Sequence, residues 1–546
     1  MSVLLLVGVP LLPALLALLV LAPTLQKPVL RVAPWLPATA LALLLLPPEP
    51  VSLPWLLLGT RLGVDALAWP LVLLAAVVWS VAGWQARATI PASEQARFFC
   101  FWLLTWCGNL CVFLTLDGAS FYAAYAMMTV AAYGLVVHNR RADDFRAGRV
   151  YLTMAVLAEA ALVAALLLLA VGTGNPDLTQ PGARLAAHAQ GSLIAVLMLI
   201  GFGVKVGLAG LHMWLPLAHP QAPVPASAVL SGVILKAGLM GWLRFLPFGD
   251  SGFEWLGHGL FMAGCATALL GVVVGVSQRA LKPLLAYSSV SQMGFLAMIV
   301  ALALLQPASA AGYLGIAVLF ALHHGLAKST LFLGVDLVQR APRLARRLLW
   351  LPAAALAGLP PTSGLLVKAA LKDTAADAAA WQVAAIAAAT AATTVLMVRL
   401  WAVVRVETRG TDRAPTTAAA PWLASLTASL LLPWAYAATT AGARVTGSAL
   451  NPGVIVDVVW PLLLGLAIGA GLEVWHRRRP WPEVPPGDLL AWLPRRRPLP
   501  PWPRWRLPRL PVGRLPQAAA ALDGVLERLT VALLAALVMA VALLWL

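Results

Sequence analysis

The chain is patterned as long apolar runs separated by short polar ones. The runs extend roughly 18 to 25 residues, enough for a helix to cross a ~30 Å hydrocarbon layer. Residues 529–546, for example, contain no charged side chain. A transmembrane barrel would instead alternate in segments of about ten residues, and that pattern does not occur. The runs predict about sixteen spans by this length rule. Their limits are 2–23, 32–47, 63–85, 98–116, 119–138, 149–172, 191–215, 223–245, 254–276, 283–302, 308–339, 349–372, 378–404, 420–441, 453–474 and 529–546. The first run is too long, and too poor in N-terminal positive charge, for a cleaved signal peptide, so it reads as a span. Lipid offers the backbone no hydrogen-bond partner, so each span must satisfy itself as helix. The expected fold class is an all-α polytopic membrane protein with 14–16 transmembrane helices.

Composition agrees. Of 546 residues, 61% are hydrophobic and 11% charged, with a mean hydropathy of +0.86. A soluble domain is about half apolar and about one quarter charged, so a soluble enzyme is excluded. The formal net charge of +17 has a local explanation. With the N-terminal side labelled A and the other B, side B receives Lys27, Arg31, Arg87, Arg97, Arg140, Arg141, Arg146, Arg149, Arg279 and Lys282. It also receives Arg340, Arg343, Arg346, Arg347, Arg405, Arg409, Arg413 and every arginine from Arg477 to Arg528. Side A receives Arg61, Arg184, Arg244, Lys372 and Arg444. The positive-inside rule makes B cytoplasmic. The expectation is a multi-pass protein of the cytoplasmic (inner) membrane of a prokaryote, with both termini extracytoplasmic, a lipid bilayer around it and no nucleic acid. Cys100, Cys107, Cys111 and Cys265 lie within apolar runs and form no CxxC pair, so neither a metal site nor a disulfide framework is expected. Segment 475–517 is dense in Pro, Arg and Trp. It cannot form a regular helix and reads as an irregular cytoplasmic strap at headgroup level.

The candidate chemistry lies in charges within the spans. An ionisable group there costs roughly 2.5–3.5 kcal/mol on insertion scales and marks a functional hypothesis. Lys205, Lys236, Lys328 and Lys368 fall deep in four different spans, and Glu159 at the centre of another. His324 and Lys328 are i, i+4 and share a face; His323 points elsewhere, and Asp336 lies two turns beyond Lys328. Four lysines exceed the buried acids available, chiefly Glu159 and Asp336. A buried, unpaired lysine can load and release a proton near neutral pH. Lys372 and Arg399 read as structural ion pairs or end charges. Four prolines between Pro216 and Pro225, and Pro360-Pro361 before Gly364, predict two broken spans, each beside a buried lysine. Membrane helices break where backbone lines a cavity or ion site.

These residues carry a resemblance. The stretches GFGVKVGLAGLHMWLPLAHPQAPVPASAVLSGVILKAGLMGWLRFLP (201–247), LKPLLAYSSVSQMGF (281–295), LHHGLAKSTLFLG (322–334) and LAGLPPTSGLLVKAAL (356–371) resemble the antiporter-like subunits of respiratory complex I and its relatives. The form HMWLPLAHPQAPVPASAVLSG looks most like the hydrogenase-4 and formate-hydrogenlyase branch, with Mrp-type antiporter subunits as cousins. The resemblance implies two inverted five-helix repeats, each with a broken helix. It implies Lys205 as the proton site of the first half, Lys236 as the linking lysine, His324 and Lys328 as the connection between halves, and Lys368 as the site of the second. His212, His323, Asp336 and Lys372 are possible modulators. This chain departs from the pattern at Ala126, where the family carries a glutamate. Leu217 and Ala280 each replace an aspartate, and Phe320 a histidine. Glu159 is the candidate replacement for the glutamate missing at Ala126.

The implied layout is N-terminal helices in 1–96, a first repeat in 97–246, a second in 254–405, further helices in 420–474, the strap in 475–517 and a final span in 518–546. The implied function is proton translocation in a complex I-like redox or hydrogenase complex. The implied partners are other membrane subunits and a peripheral iron–sulfur or hydrogenase-like module. The chain itself shows no haem motif or nucleotide loop, so no cofactor and no catalytic centre are expected in it. An Mrp-type Na+/H+ antiporter subunit, an energy-coupling subunit for inorganic-carbon uptake and a scaffold that lost transport remain open.

Overall fold

The computed structural model describes residues 1–171, 174, 176–179, 185, 187–408, 419–447, 451–479 and 482–486. The expected final span and most of the Pro/Arg/Trp-rich segment lie outside them.

The N-terminal part holds α1 (Ser2–Leu19), α2 (Pro23–Val32), α3 (Leu41–Leu45), a hairpin of β1 (Val51–Leu53) and β2 (Thr60–Leu62), and α4 (Ala68–Thr89). Five elements then carry the first half: α5 (Gln95–Leu114), α6 (Gly118–Val136), α7 (Ala142–Ala170), a broken helix made of α8 (Gly191–Val206) and α9 (Trp214–Gln221), and α10 (Val224–Phe245). The second half repeats the order with α11 (Glu254–Ser277), α12 (Leu281–Leu305), α13 (Ala310–Arg340), the short α14 (Pro342–Leu348), a broken helix made of α15 (Trp350–Ala357) and α16 (Ser363–Thr374), and α17 (Ala380–Glu407). In each half the fourth crossing is the broken one. Five crossings is an odd number, so the second half starts from the opposite face and is inverted relative to the first. α18 (Ala419–Ala437), α19 (Thr440–Thr446) and α20 (Pro452–Arg478) follow.

Eleven helices among the described residues are long and apolar enough to cross a membrane, and a bent pair adds a twelfth. The bent pair corrects the expectation of one straight span at 32–47: Pro23–Val32 and Leu36–Leu45 meet at 57°. Lys27 and Arg31 consequently sit on a helix, not in a loop. The span expected at 149–172 begins earlier, at Ala142, because Asp144 caps its start by accepting from the Arg141 amide at 2.8 Å. The hairpin is an addition to the expected elements. Its pairing of Val51 with Leu62 lies beside the α5 end, where Gly63 donates to the Leu114 carbonyl.

The core is central to the two halves. The spanning window of α10 is wholly buried and that of α12 is 94% buried, whereas α1 and α20 bury 28% of theirs. Helices apolar on all sides and buried are core spans; the outer ones turn their apolar faces to lipid. Lys236 lies on α10, Lys205 packs against it at Gly238, and Lys328 reaches α12 at Leu285.

Candidate functional site

Both broken helices stop on a left-handed glycine. α8 ends at Gly207 (φ 88°) and α15 at Gly358 (φ 92°), a conformation glycine adopts without the Cβ penalty. Each break leaves backbone polar groups without helical partners and stands beside a lysine. Lys205 lies in the last turn of α8. Lys368, on α16, donates from Nζ to the carbonyl of Ala357, the last residue of α15.

The first site is closed in. Lys205 Nζ donates to Thr129 Oγ1 on α6 at 3.0 Å. The rings of Tyr125, Tyr151 and Trp214 stand 5.3, 5.4 and 5.9 Å from it, within cation–π range. Trp214 Nε1 donates across the break to the Val204 carbonyl at 2.7 Å, and Tyr151 Oη to the Thr129 carbonyl at 3.0 Å. Glu159, on α7, lines the same cavity of about 10 Å³, room for about one water. Its buried Oε1 accepts no hydrogen bond among the described residues. Ala126 precedes Thr129 by three residues on α6, so a hydroxyl meets the lysine on the face where the family pattern sets a glutamate.

The centre joins the halves. Lys236 sits just after a π-helical turn, Leu230–Ile234, in α10. Its Nζ donates to the Ser231 carbonyl at 2.8 Å and lies 2.8 Å from Nδ1 of His324 on α13. Lys328, one turn on, donates to the Leu285 carbonyl at 3.0 Å and to the Ser288 hydroxyl, both on α12. His323 faces the other way, its Nδ1 2.8 Å from Oγ of Ser363, the first residue of α16. Lys368 lies five residues further along that helix. One helix, α13, thus touches α10, α12 and α16 through titratable side chains, all buried. The shortage of acids is met by carbonyls, hydroxyls and imidazole, groups that hydrogen-bond a lysine without fixing its charge.

Asp336 is not where a partner for Lys328 would be. It accepts from Gln85 Nε2 at 2.8 Å and lines a cavity of about 340 Å³ at the side B end, with Glu94, His138, Arg141 and Arg340. His138 Nε2 lies 3.0 Å from Glu94 Oε2. Burial, and then the Arg97 charge, hold the His138 imidazole below its ordinary pKa despite Glu94. Lys372 pairs with Asp457 at 3.5 Å and Arg399 with Glu473 at 3.1 Å. His212 is buried inside the first break. Sequence reasoning does not single out Thr129, Ser288, Ser363 or Gln85. A mid-span hydroxyl is a weak signal, because many, such as Thr330 and Thr394, bond their own i−4 carbonyls.

Residues 116–395 match the family described as the transmembrane part of NADH:quinone oxidoreductase and Mrp antiporters. Hydrogenase-4 component B of Escherichia coli (strain K12) is 27% identical over 291 residues, 49% of this chain and 43% of that one. A Na(+)/H(+) antiporter subunit of Alkalihalophilus pseudofirmus is 28% identical over 338 residues, 57% of this chain and 66% of that one. The chain thus spans less than two thirds of either relative. Among solved structures, the Mrp complex from Dietzia sp. DQ12-45-1b matches 90% of this chain and 58% of the other at a TM-score of 0.72 and 21% identity. The membrane-bound sulfane sulfur reductase, an archaeal respiratory membrane complex, matches 85% and 99% at 0.67 and 20%. Four ordered motifs, two halves each broken at its fourth crossing and a match over half the chain converge: the chain is a multi-pass membrane protein of the NADH:quinone oxidoreductase/Mrp antiporter transmembrane family.

Proposed function

We propose that the chain is a proton-translocating membrane subunit of a complex I-like redox or hydrogenase complex. The observation that carries this reading is the buried line Lys236–His324, Lys328–Ser288 and His323–Ser363, which runs from α10, packed against the first broken helix at Gly238, through one central helix to the second broken helix. Lysine and imidazole on it can each take up and release a proton, and the serine hydroxyls can relay one. The chain itself does no bond chemistry. Driving energy comes from neighbouring subunits, with a peripheral iron–sulfur or hydrogenase-like module as the source. Placement in the cytoplasmic inner membrane of a prokaryote, with side B inside, is supported by the arginine-rich loops.

A sodium-exchanging role in an Mrp-type assembly is the second reading, favoured by the 0.72 TM-score to the Mrp complex. Lysines along the line argue for H+, because a cation on the path repels Na+ whereas a proton simply titrates it.

The test is proton uptake by vesicles carrying the assembled complex. Lys236→Ala is expected to leave assembly intact and abolish most coupled translocation. Parent-level translocation by this variant ends the reading. Cysteine labelling of segment 340–348 checks orientation: it is expected only from the cytoplasmic face.

A further inference from the structure

Lys368 is buried, yet it also lines a cavity of about 240 Å³ that runs between α16, α17 and α20. Its depth is set by Lys368 and by Thr390, ten residues into α17. Its mouth lies beside the exposed Ala380, at the start of α17 on side A. The mouth carries Lys372, one turn from Lys368, and Asp457, which pairs with it at 3.5 Å. Asp457 belongs to α20, beyond the family-matched residues 116–395. α20 is held against α17 by the Arg399–Glu473 pair, whose side chains are 8% and 15% exposed, so its position is fixed at depth.

We propose that α20 completes an aqueous outlet for the proton held by Lys368, with Asp457 as its outlet group on side A. The proposal rests on the proton-translocating function given above. In the release step an N–H bond of the Lys368 ammonium breaks and an O–H bond forms on a water in the cavity. The amine is left neutral, and the proton passes from water to water toward side A. Lys372 alone would oppose this, because a fixed positive charge one turn away repels a proton in transit. The Asp457 carboxylate offsets that charge and offers a transient acceptor at the mouth. Removing the carboxylate leaves the barrier uncompensated, while removing both charges does not. The pair is therefore a positioning device for the outlet field.

The experiment uses the intact complex in vesicles. Ala387→Cys, on the α17 wall, is expected to react with a charged, membrane-impermeant thiol reagent supplied from side A. Asp457→Asn is expected to lower translocation about three- to fivefold, the rate equivalent of an exposed ion pair. Lys372→Gln together with Asp457→Asn is expected to recover most of it. An unreactive Ala387→Cys, as when lipid or a neighbouring helix fills the cavity, overturns the outlet. So does parent-rate translocation by Asp457→Asn in a complex that Lys368→Ala stops. If Lys368→Ala itself runs at the parent rate, the function on which the proposal rests falls with it.

Discussion

Around Lys205, three aromatic rings and Thr129 enclose the ammonium beside a cavity of about 10 Å³. Around Lys368, the ammonium donates to a carbonyl freed by the helix break, and about 240 Å³ opens beside it. Both lysines stand beside a glycine-ended break, Lys205 on the helix before it and Lys368 on the helix after it. The same backbone device therefore serves two environments. At Lys205 a proton can leave only through neighbouring side chains or a single water. At Lys368 it meets space for several. Under the function proposed above, the first half would hold a proton and the second would release it.

The comparison is broken most directly at the residue the halves share. Lys236→Ala is expected to cut translocation at least about tenfold, because it leaves His324 facing an empty buried position; vesicle acidification measures it. The next largest effect separates titration from charge. Arg cannot release its proton, so Lys368→Arg is expected to stop release nearly as fully as Lys368→Ala, and Lys205→Arg to fail likewise. Full activity of either Arg variant shows that its site needs only fixed charge. Third, Gly358→Ala is expected to cost about 1–3 kcal/mol of local strain, since its φ is +92°. It is also expected to hurt translocation more than Gly207→Ala. A Cβ at 358 would stand 2.8 Å from Lys368 Cδ, whereas at 207 it meets Leu215 Cδ1 at 3.1 Å. Thermal stability and translocation of the two variants, compared side by side, check this. The smallest effect is at Glu159. Glu159→Gln is expected to lower translocation about two- to threefold by withdrawing a carboxylate from the Lys205 cavity, and Ala126→Glu in the same chain to restore part of it.

Much of this arrangement is legible in the sequence, for a physical reason. Lipid forces apolar runs and helical backbone together, so hydropathy places the spans, and a lysine inside a run is conspicuous because nothing there tolerates it cheaply. The breaks are legible through Pro216–Pro225 and Pro360-Pro361. The partners are not. Nothing in spacing distinguishes Thr129, which bonds its own Tyr125 carbonyl and also meets Lys205, from Thr394, which bonds its own Thr390 carbonyl. The sequence gives the distance of Asp336 along α13 but not that Gln85, from a helix 251 residues away in the chain, takes its carboxylate. The bend at residues 33–35 is hidden because apolar residues continue across it, and the hairpin because three-residue strands are too short to show alternation.

The π-helical turn at Leu230–Ile234 has a bearing on how such a chain can change over generations. A turn of this kind holds one residue more than an α-turn. Every residue beyond it is thereby rotated by about 100° relative to an uninterrupted helix. Lys236, just beyond the turn, meets the Ser231 carbonyl and His324 on the face that this offset presents. A single-codon deletion within the turn would keep the helix, its length across the membrane and its apolarity nearly unchanged, yet swing the lysine away from its histidine. The junction between the two halves is thus sensitive to a change of one residue in helix length. It can be lost or regained in one mutational event, without altering any of the side chains that compose it.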